Sequence, residues 1–150
     1  MPATVYVDAD ACPVRDEAAR VAARHGADLV LVSNGGLRPS AHPGARMVYV
    51  DADADAADRW IAEAAQPGDV VVTADIPLAA KVVASGARVL RPDGSALTQA
   101  NIGNTLATRD LMADLRAADP FRKGGGKPFD KADRARFAQA LDQLLQRARP

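Results

Sequence analysis

The chain has 150 residues, of which 48% are hydrophobic and 25% charged, and its formal net charge at pH 7 is zero. These values predict one globular domain over residues 1–150, and they exclude a disordered chain or a protein that holds nucleic acid by bulk positive charge. No apolar run approaches the ~20 residues of a membrane helix, and the first residues lack the pattern of an export signal, so we expect no membrane association. With Cys12 as the only cysteine, no internal disulfide can form, and the cytoplasm is the expected location.

Short apolar segments rich in β-branched residues predict strands that are covered on both faces. They are Thr4–Val7, Leu29–Val32, Met47–Val50, Val70–Thr73 and Arg88–Leu90. Helical segments lie between most of them, from Cys12-Pro13 to Gly26, from about Ala54 to Gln66, and from Ile76-Pro77 to Gly86. This alternation predicts a three-layer α/β fold, with a mostly parallel five-stranded sheet, right-handed crossovers and helices on both faces.

The remaining segments predict a loop and two C-terminal helices. Residues 33–44 are dense in turn residues and predict a loop. One helix is expected from about Thr98 to Ala118, and a last helix, capped by Asp130, carries Phe137, Leu141 and Leu145 on one stripe. Three glycines at 124–126 predict a flexible connector between the two helices.

Acidic residues follow four of the five predicted strands. They are Asp8 and Asp10, Asp51 and Asp53, Asp75, and Asp93. Ligands of open parallel sheets bind beyond the carboxyl ends of the strands, so these side chains are expected at the binding edge. Clustered carboxylates repel one another unless a cation neutralises them, and a site with only oxygen ligands prefers Mg²⁺ or Mn²⁺. Asp8, Asp10 and Asp75 are therefore the predicted metal ligands.

Helix capping is the alternative explanation for these aspartates, because Asp is favoured at helix N-termini. We interpret Asp51 and Asp53 as caps or loop residues, whereas Asp8 completes a strand and has no helix to cap. For Asp75 the two interpretations are balanced. Asp58 borders the apolar stripe of the second helix, so it can either lean toward the strand ends or complement the helix dipole.

Candidate substrate contacts lie mainly in the C-terminal part of the chain. Residues 1–108 carry 9 basic and 13 acidic side chains, whereas residues 109–150 carry 10 basic and 6 acidic ones. An acidic body with a basic tail suits a metal centre beside a phosphate-binding segment, although each basic residue can equally be a solvated surface charge. The candidates are Arg109, Arg116, Arg122, Lys123 and Lys127, together with Asn34, which follows the second strand and can also serve a turn.

Three motifs carry a resemblance that extends over nearly the whole chain. They are YVDADACPV at 6–14, VTADIPLA at 72–79 and DLMADLR at 110–116. The sequence resembles the YaiI/YqxD family of uncharacterised bacterial proteins, whose fold is similar to that of the PIN-like nucleases. That likeness implies a Mg²⁺ or Mn²⁺ site, with Asp8 matching the first-strand acid, Asp75 the acid of a Thr-x-Asp motif, and Asp58 a helix acid. Asp10 is an additional first-strand acid, and Asp58 stands where a glutamate is usual.

Three functions remain open from the sequence. The first is metal-dependent hydrolysis of phosphodiester bonds, on RNA, with Asp8, Asp10 and Asp75 as metal ligands and Asp58 orienting the water or a second ion. The second is a phosphatase similar to the haloacid dehalogenases, in which Asp8 would be the nucleophile. The third is a non-catalytic module that binds RNA or another partner and uses its aspartates as caps.

Overall fold

The apolar segments form a six-stranded sheet in a computed structural model that describes residues 3–10, 12–34, 44–51, 55–118 and 129–148. Side chains are described for all of these except 116–118 and 147–148. The strands are β1 (Thr4–Asp8), β2 (Asp28–Ser33), β3 (Ala45–Tyr49), β4 (Val70–Val72), β5 (Arg88–Leu90) and β6 (Ala96–Leu97). Their order is β3-β2-β1-β4-β5-β6, and all neighbours are parallel except β5 and β6. The mostly parallel sheet is confirmed, with β6 as a short strand beyond the five predicted.

The helices lie close to their predicted positions. They are α1 (Arg15–Arg24), α2 (Ala56–Ala64), α3 (Ile76–Ala84), α4 (Ile102–Ala118) and α5 (Lys131–Ala148). The Asp130 carboxylate accepts a hydrogen bond from the Asp133 amide, and Asp133 accepts one from the Asp130 amide, so the predicted cap of α5 is a reciprocal pair. None of the described helices is long and apolar enough to cross a membrane.

Two apolar cores separate the sheet from the helices on either side. One contains side chains of β1 with those of α1 and α5, including Phe137, Leu141 and Leu145, which are buried as their stripe predicts. The other contains Tyr6 of β1 with side chains of α2, α3 and α4. Successive strand residues face opposite sides, so both cores draw on β1. The three-layer arrangement is therefore confirmed.

A crevice forms where the chain reverses its direction across the sheet. From β1 the chain passes through α1 to β2 on one side, and from β4 it passes through α3 to β5 on the other. With right-handed crossovers these two helices must cover opposite faces, and α1 and α3 do belong to opposite cores. The carboxyl ends of β1 and β4 therefore form a topological switch point, where open α/β sheets bind their ligands.

Candidate functional site

Three aspartates from three elements meet at the switch point. Asp8 ends β1 and shares its face with Tyr6, in the core that α2 and α3 cover. Asp75 follows β4 and caps α3, while Asp58 lies in the first turn of α2. The negative charges of Asp75 and Asp8 both raise the pKa of Asp58, so the three carboxyl groups interact electrostatically. We call these residues the acid cluster.

A side-chain hydrogen bond with Asp75 is among the causes that raise the pKa of Asp58. Carboxylates have only acceptor oxygens, so one member of such a pair must carry a proton. Burial is the largest cause that raises the pKa of Asp58 to about 6, and the charge and hydrogen bond of Asp75 add to it. Asp58 therefore holds its proton to a higher pH than an ordinary aspartate. Asp75 also accepts the Leu78 amide at 3.0 Å, so it is both a helix cap and a member of the acid cluster.

Thr73 connects Asp8 and Asp75, two members of the acid cluster. This fully buried hydroxyl donates to Asp8 Oδ2 at 3.2 Å and accepts the Asp75 amide at 3.0 Å. Asp8 itself is only 7% exposed, and burial raises its pKa, as do the charges of Asp75 and Asp10, against the lowering effect of the Thr73 hydrogen bond. Sequence reasoning did not select Thr73 as a site residue, although the Thr-x-Asp spacing was the available signal.

Asp10 lies in the turn after β1, where its carboxylate is hydrogen-bonded to the end of β2. One oxygen accepts the Ser33 hydroxyl at 2.9 Å, and the other accepts the Asn34 amide at 2.8 Å. Asp10 would share the face of Asp8 only if the strand continued, and β1 ends at Asp8. Asp10 thus connects the end of β1 to the end of β2. Asn34 takes part in this connection through its backbone amide.

The other candidates that the structure describes lie on the surface. Asp93 lies in the turn before β6, where burial alone would raise its pKa but hydrogen bonds from Ser95 and nearby arginines lower it. Asp51 is exposed after β3. Arg109 is an exposed residue of α4, with Nη1 3.2 Å from Asp110 Oδ1. Asp53, Arg122, Lys123, Lys127 and the side chain of Arg116 lie outside the described residues.

Cys12 is buried under β4, close to the cluster. Its thiol lies 3.6 Å from the Val72 carbonyl oxygen and donates toward it. Burial raises the pKa of this thiol to about 12, and the charge of Asp8 contributes. A thiol held in its neutral form is a packing residue, and reactive cysteines require the opposite environment.

The acid cluster suits Mg²⁺ or Mn²⁺ in its donor chemistry, because carboxylate oxygens are the ligands these ions prefer. The negative charges that raise the pKa of Asp58 are charges that a bound cation would neutralise. Within the described ranges, however, no group of three or more His, Cys, Asp or Glu side chains is positioned to hold a metal ion. Asp8, Asp58 and Asp75 therefore have the right chemistry for metal ligands, but their side chains are not already arranged around one metal position.

Fold and site together define a class: a doubly wound, three-layer α/β protein with acidic residues at its switch point. Within this class, the chain belongs to the YaiI/YqxD family, described as an uncharacterised one, whose sequence profile matches residues 6–147. No solved structure matches the chain significantly.

Relatives with the name UPF0178 protein cover almost the same length. One from Cereibacter sphaeroides is 65% identical over 144 residues, which are 96% of this chain and 89% of the relative. One from Roseobacter denitrificans is 62% identical and covers 96% of this chain and 95% of its own length. One from Rhodopseudomonas palustris is 49% identical, with 97% and 88% covered. The resemblance to the YaiI/YqxD family is thereby confirmed.

Proposed function

We propose that this protein binds Mg²⁺ or Mn²⁺ at Asp8, Asp58 and Asp75 and hydrolyses phosphodiester bonds of RNA there. The observation that carries the proposal is that Thr73 joins buried Asp8 to Asp75 at the switch point, where Asp58 interacts with both carboxylates. Like charges held together destabilise a fold unless a proton or a cation neutralises them. Asp10 has both oxygens engaged at β2, so in this proposal it supports the position of the strand ends.

Each residue of the cluster has a distinct part in the proposed reaction. When bound, the metal ion would lower the pKa of a water molecule and neutralise charge on the phosphate. Asp58, whose carboxyl group has a pKa of about 6 without a metal ion, would lose its proton when the cation binds and serve as the third ligand. Thr73 fixes Asp8 Oδ2, and the cap bond to the Leu78 amide fixes Asp75 Oδ1, so two carboxylates are held in place before any ligand arrives.

A thermal-melting series with Mn²⁺ near neutral pH tests the metal site. An ion that binds only the native state at 100 times its Kd adds about 2.7 kcal/mol, which corresponds to about 5–10 °C in Tm for a chain of this size. We expect this rise in the wild type and its loss in Asp8→Asn and Asp75→Asn. Asp51→Asn is the matched control, because it removes an exposed acid after β3 and should keep the full rise. An equal rise in Asp8→Asn would contradict the site.

Incubation of labelled single-stranded RNA with Mn²⁺ tests the reaction separately. Cleavage by the wild type and by Asp51→Asn is expected, with none by Asp58→Asn. RNA that stays intact in the presence of a Mn²⁺-stabilised protein would refute hydrolysis while leaving the metal site in place.

The other two interpretations of the sequence predict different results in the same experiments. A phosphatase with Asp8 as nucleophile predicts an acyl phosphate on Asp8, a residue whose side chain is buried and hydrogen-bonded to Thr73. A non-catalytic module with aspartate caps predicts no effect of Mn²⁺ on Tm. A cap role accounts for one oxygen of Asp75 but not for its bond to Asp58.

A further inference from the structure

A groove of about 380 Å³ opens beside the acid cluster, between the start of α3, the end of β5 and one side of α4. Ile76, the residue directly after Asp75, is one of its lining residues. The groove therefore lies near the acid cluster, one residue along the chain from Asp75, and follows α4. A volume of this size lies at the small end of ligand pockets and suits one unstacked nucleotide, whereas a duplex requires a much wider surface.

The groove carries positive charge from two arginines, one in the acidic body of the chain and one at the start of its basic tail. Arg91 and Arg109 line it, and none of its lining residues in the described ranges is acidic. Arg91 donates its Nε hydrogen to Ser95, which holds the side chain in place at the end of β5. Arg109 contacts Asp110, but both side chains are exposed. An exposed ion pair contributes little to stability, so a phosphate group can take the place of Asp110 as the partner of Arg109.

The α4 side of the groove combines polar and apolar groups in a fixed order. Asn104, Thr108 and Met112 are spaced four residues apart, so they form one line along the helix. Met112 and Ile76 give apolar surface for a base, and the amide and hydroxyl groups can bond a ribose 2′-hydroxyl. Apolar surface between cationic side chains is the general composition of single-strand binding grooves.

We propose that this groove binds single-stranded RNA. Arg91 and Arg109 contact its phosphates, next to the phosphodiester bond that is cleaved at the acid cluster. The inference rests on the proposed function for the identity of the cleaved bond. Binding along α4, however, requires only the groove and its two arginines. The two ideas can therefore fail independently.

Fluorescence anisotropy in EDTA measures this binding without hydrolysis, with a labelled RNA of about ten nucleotides as the probe. We expect Arg109→Ala to weaken binding about tenfold and to reduce the slope of log K against log salt by about 0.7, as for one lost phosphate contact. Arg20→Ala is the matched control, since it removes an exposed arginine from α1 on the opposite face of the sheet. Unchanged binding in Arg109→Ala, or an equal loss in Arg20→Ala, would overturn the proposal.

Two further probes test the choice of RNA and of a single strand. Duplex RNA and a DNA strand of the same sequence should both bind more weakly than the RNA strand. The double variant Asn104→Ala/Thr108→Val, at two exposed positions, should lose the preference for RNA over DNA. Equal affinity of the wild type for all three probes would refute selection by this groove.

The Mn²⁺ melting series separates the two proposals. If Arg109→Ala keeps the Mn²⁺ rise in Tm but loses RNA affinity, both are supported. If Mn²⁺ has no effect on the wild type while Arg109→Ala still loses RNA affinity, the groove stands and the metal site fails. If the rise and cleavage occur but Arg109→Ala binds RNA normally, the groove fails alone.

Discussion

Asp58→Asn should stabilise the metal-free protein at neutral pH. The native state raises the pKa of Asp58 from 3.8 to about 6, so it binds the proton more tightly than the unfolded state does. Stability therefore falls as pH rises from about 4 to about 6, and it stays lower above that window. At about 1.4 kcal/mol per unit, this shift sets an upper limit of about 3 kcal/mol. Solvent screening and the lost interaction with the N-terminus of α2 reduce the expected gain to about 1 kcal/mol.

Thermal melts in EDTA across this pH range measure the effect. At neutral pH the Tm of Asp58→Asn should exceed that of the wild type by about 2–4 °C, and the difference should disappear toward pH 4, since asparagine mimics the protonated acid. Glu63→Gln, on the exposed side of the same helix, is the control and should change stability by less than about 0.5 kcal/mol. A Tm of Asp58→Asn below that of the wild type at neutral pH would refute the assignment of a repulsive cluster.

Saturating Mn²⁺ should reverse the order of stability. An ion bound at the proposed site would add about 2.7 kcal/mol to the wild type at 100 times its Kd, whereas Asp58→Asn lacks one of the proposed carboxylate ligands. The wild type should then melt at the higher temperature. If Asp58→Asn remains the more stable protein at every Mn²⁺ concentration, Asp58 is not a ligand.

Three further changes test other parts of the structure. Thr73→Val should cost about 1–3 kcal/mol in urea unfolding because the Asp75 amide loses its buried acceptor, and Thr73→Ser should restore most of this stability. Gly94→Ala should cost about 2 kcal/mol more than Gly68→Ala, since both have positive φ but only at Gly94 would a Cβ lie 2.8 Å from the backbone of α5. Cys12, with a thiol pKa of about 12, should react with a thiol reagent only after the protein is unfolded; rapid reaction of the native protein would contradict its burial.

The sheet could be predicted because its strands are apolar on both faces, which is a property of local sequence. The last helix could also be predicted from the sequence, because it has an apolar stripe and the Asp130 cap. The strand β6 was not, since Ala96–Leu97 is too short for any periodicity. A turn forms it instead, in which Arg91 and Ser95 pair through their backbones at 2.8 Å and Asp93 holds the Ser95 amide.

The candidate site was predictable only in part. Which aspartates come together depends on where strands end and which face a helix covers, more than on their distance along the chain. Asp8 and Asp75 follow adjacent strands, so the strand-end rule brings them together. Asp10 is two residues from Asp8, yet the end of β1 turns it toward Ser33. Asp58 is far away in sequence, and its place depends on α2 covering the same face as α3, which no local pattern specifies.

The contrast among the aspartates is the strongest reason to regard the cluster as a site. Asp69 accepts the amides of Thr4 and Gln66, Asp130 and Asp133 cap α5, and Asp10 ties two strands. In each of these cases N–H or O–H donors satisfy the carboxylate, which is how structural aspartates stabilise a fold. Asp58 instead has its pKa raised to about 6 by burial and by Asp75, so its ionised form at neutral pH costs stability that folding alone gives no reason to retain. A ligand that neutralises both acids supplies that reason, and the switch point is where the fold would bind it.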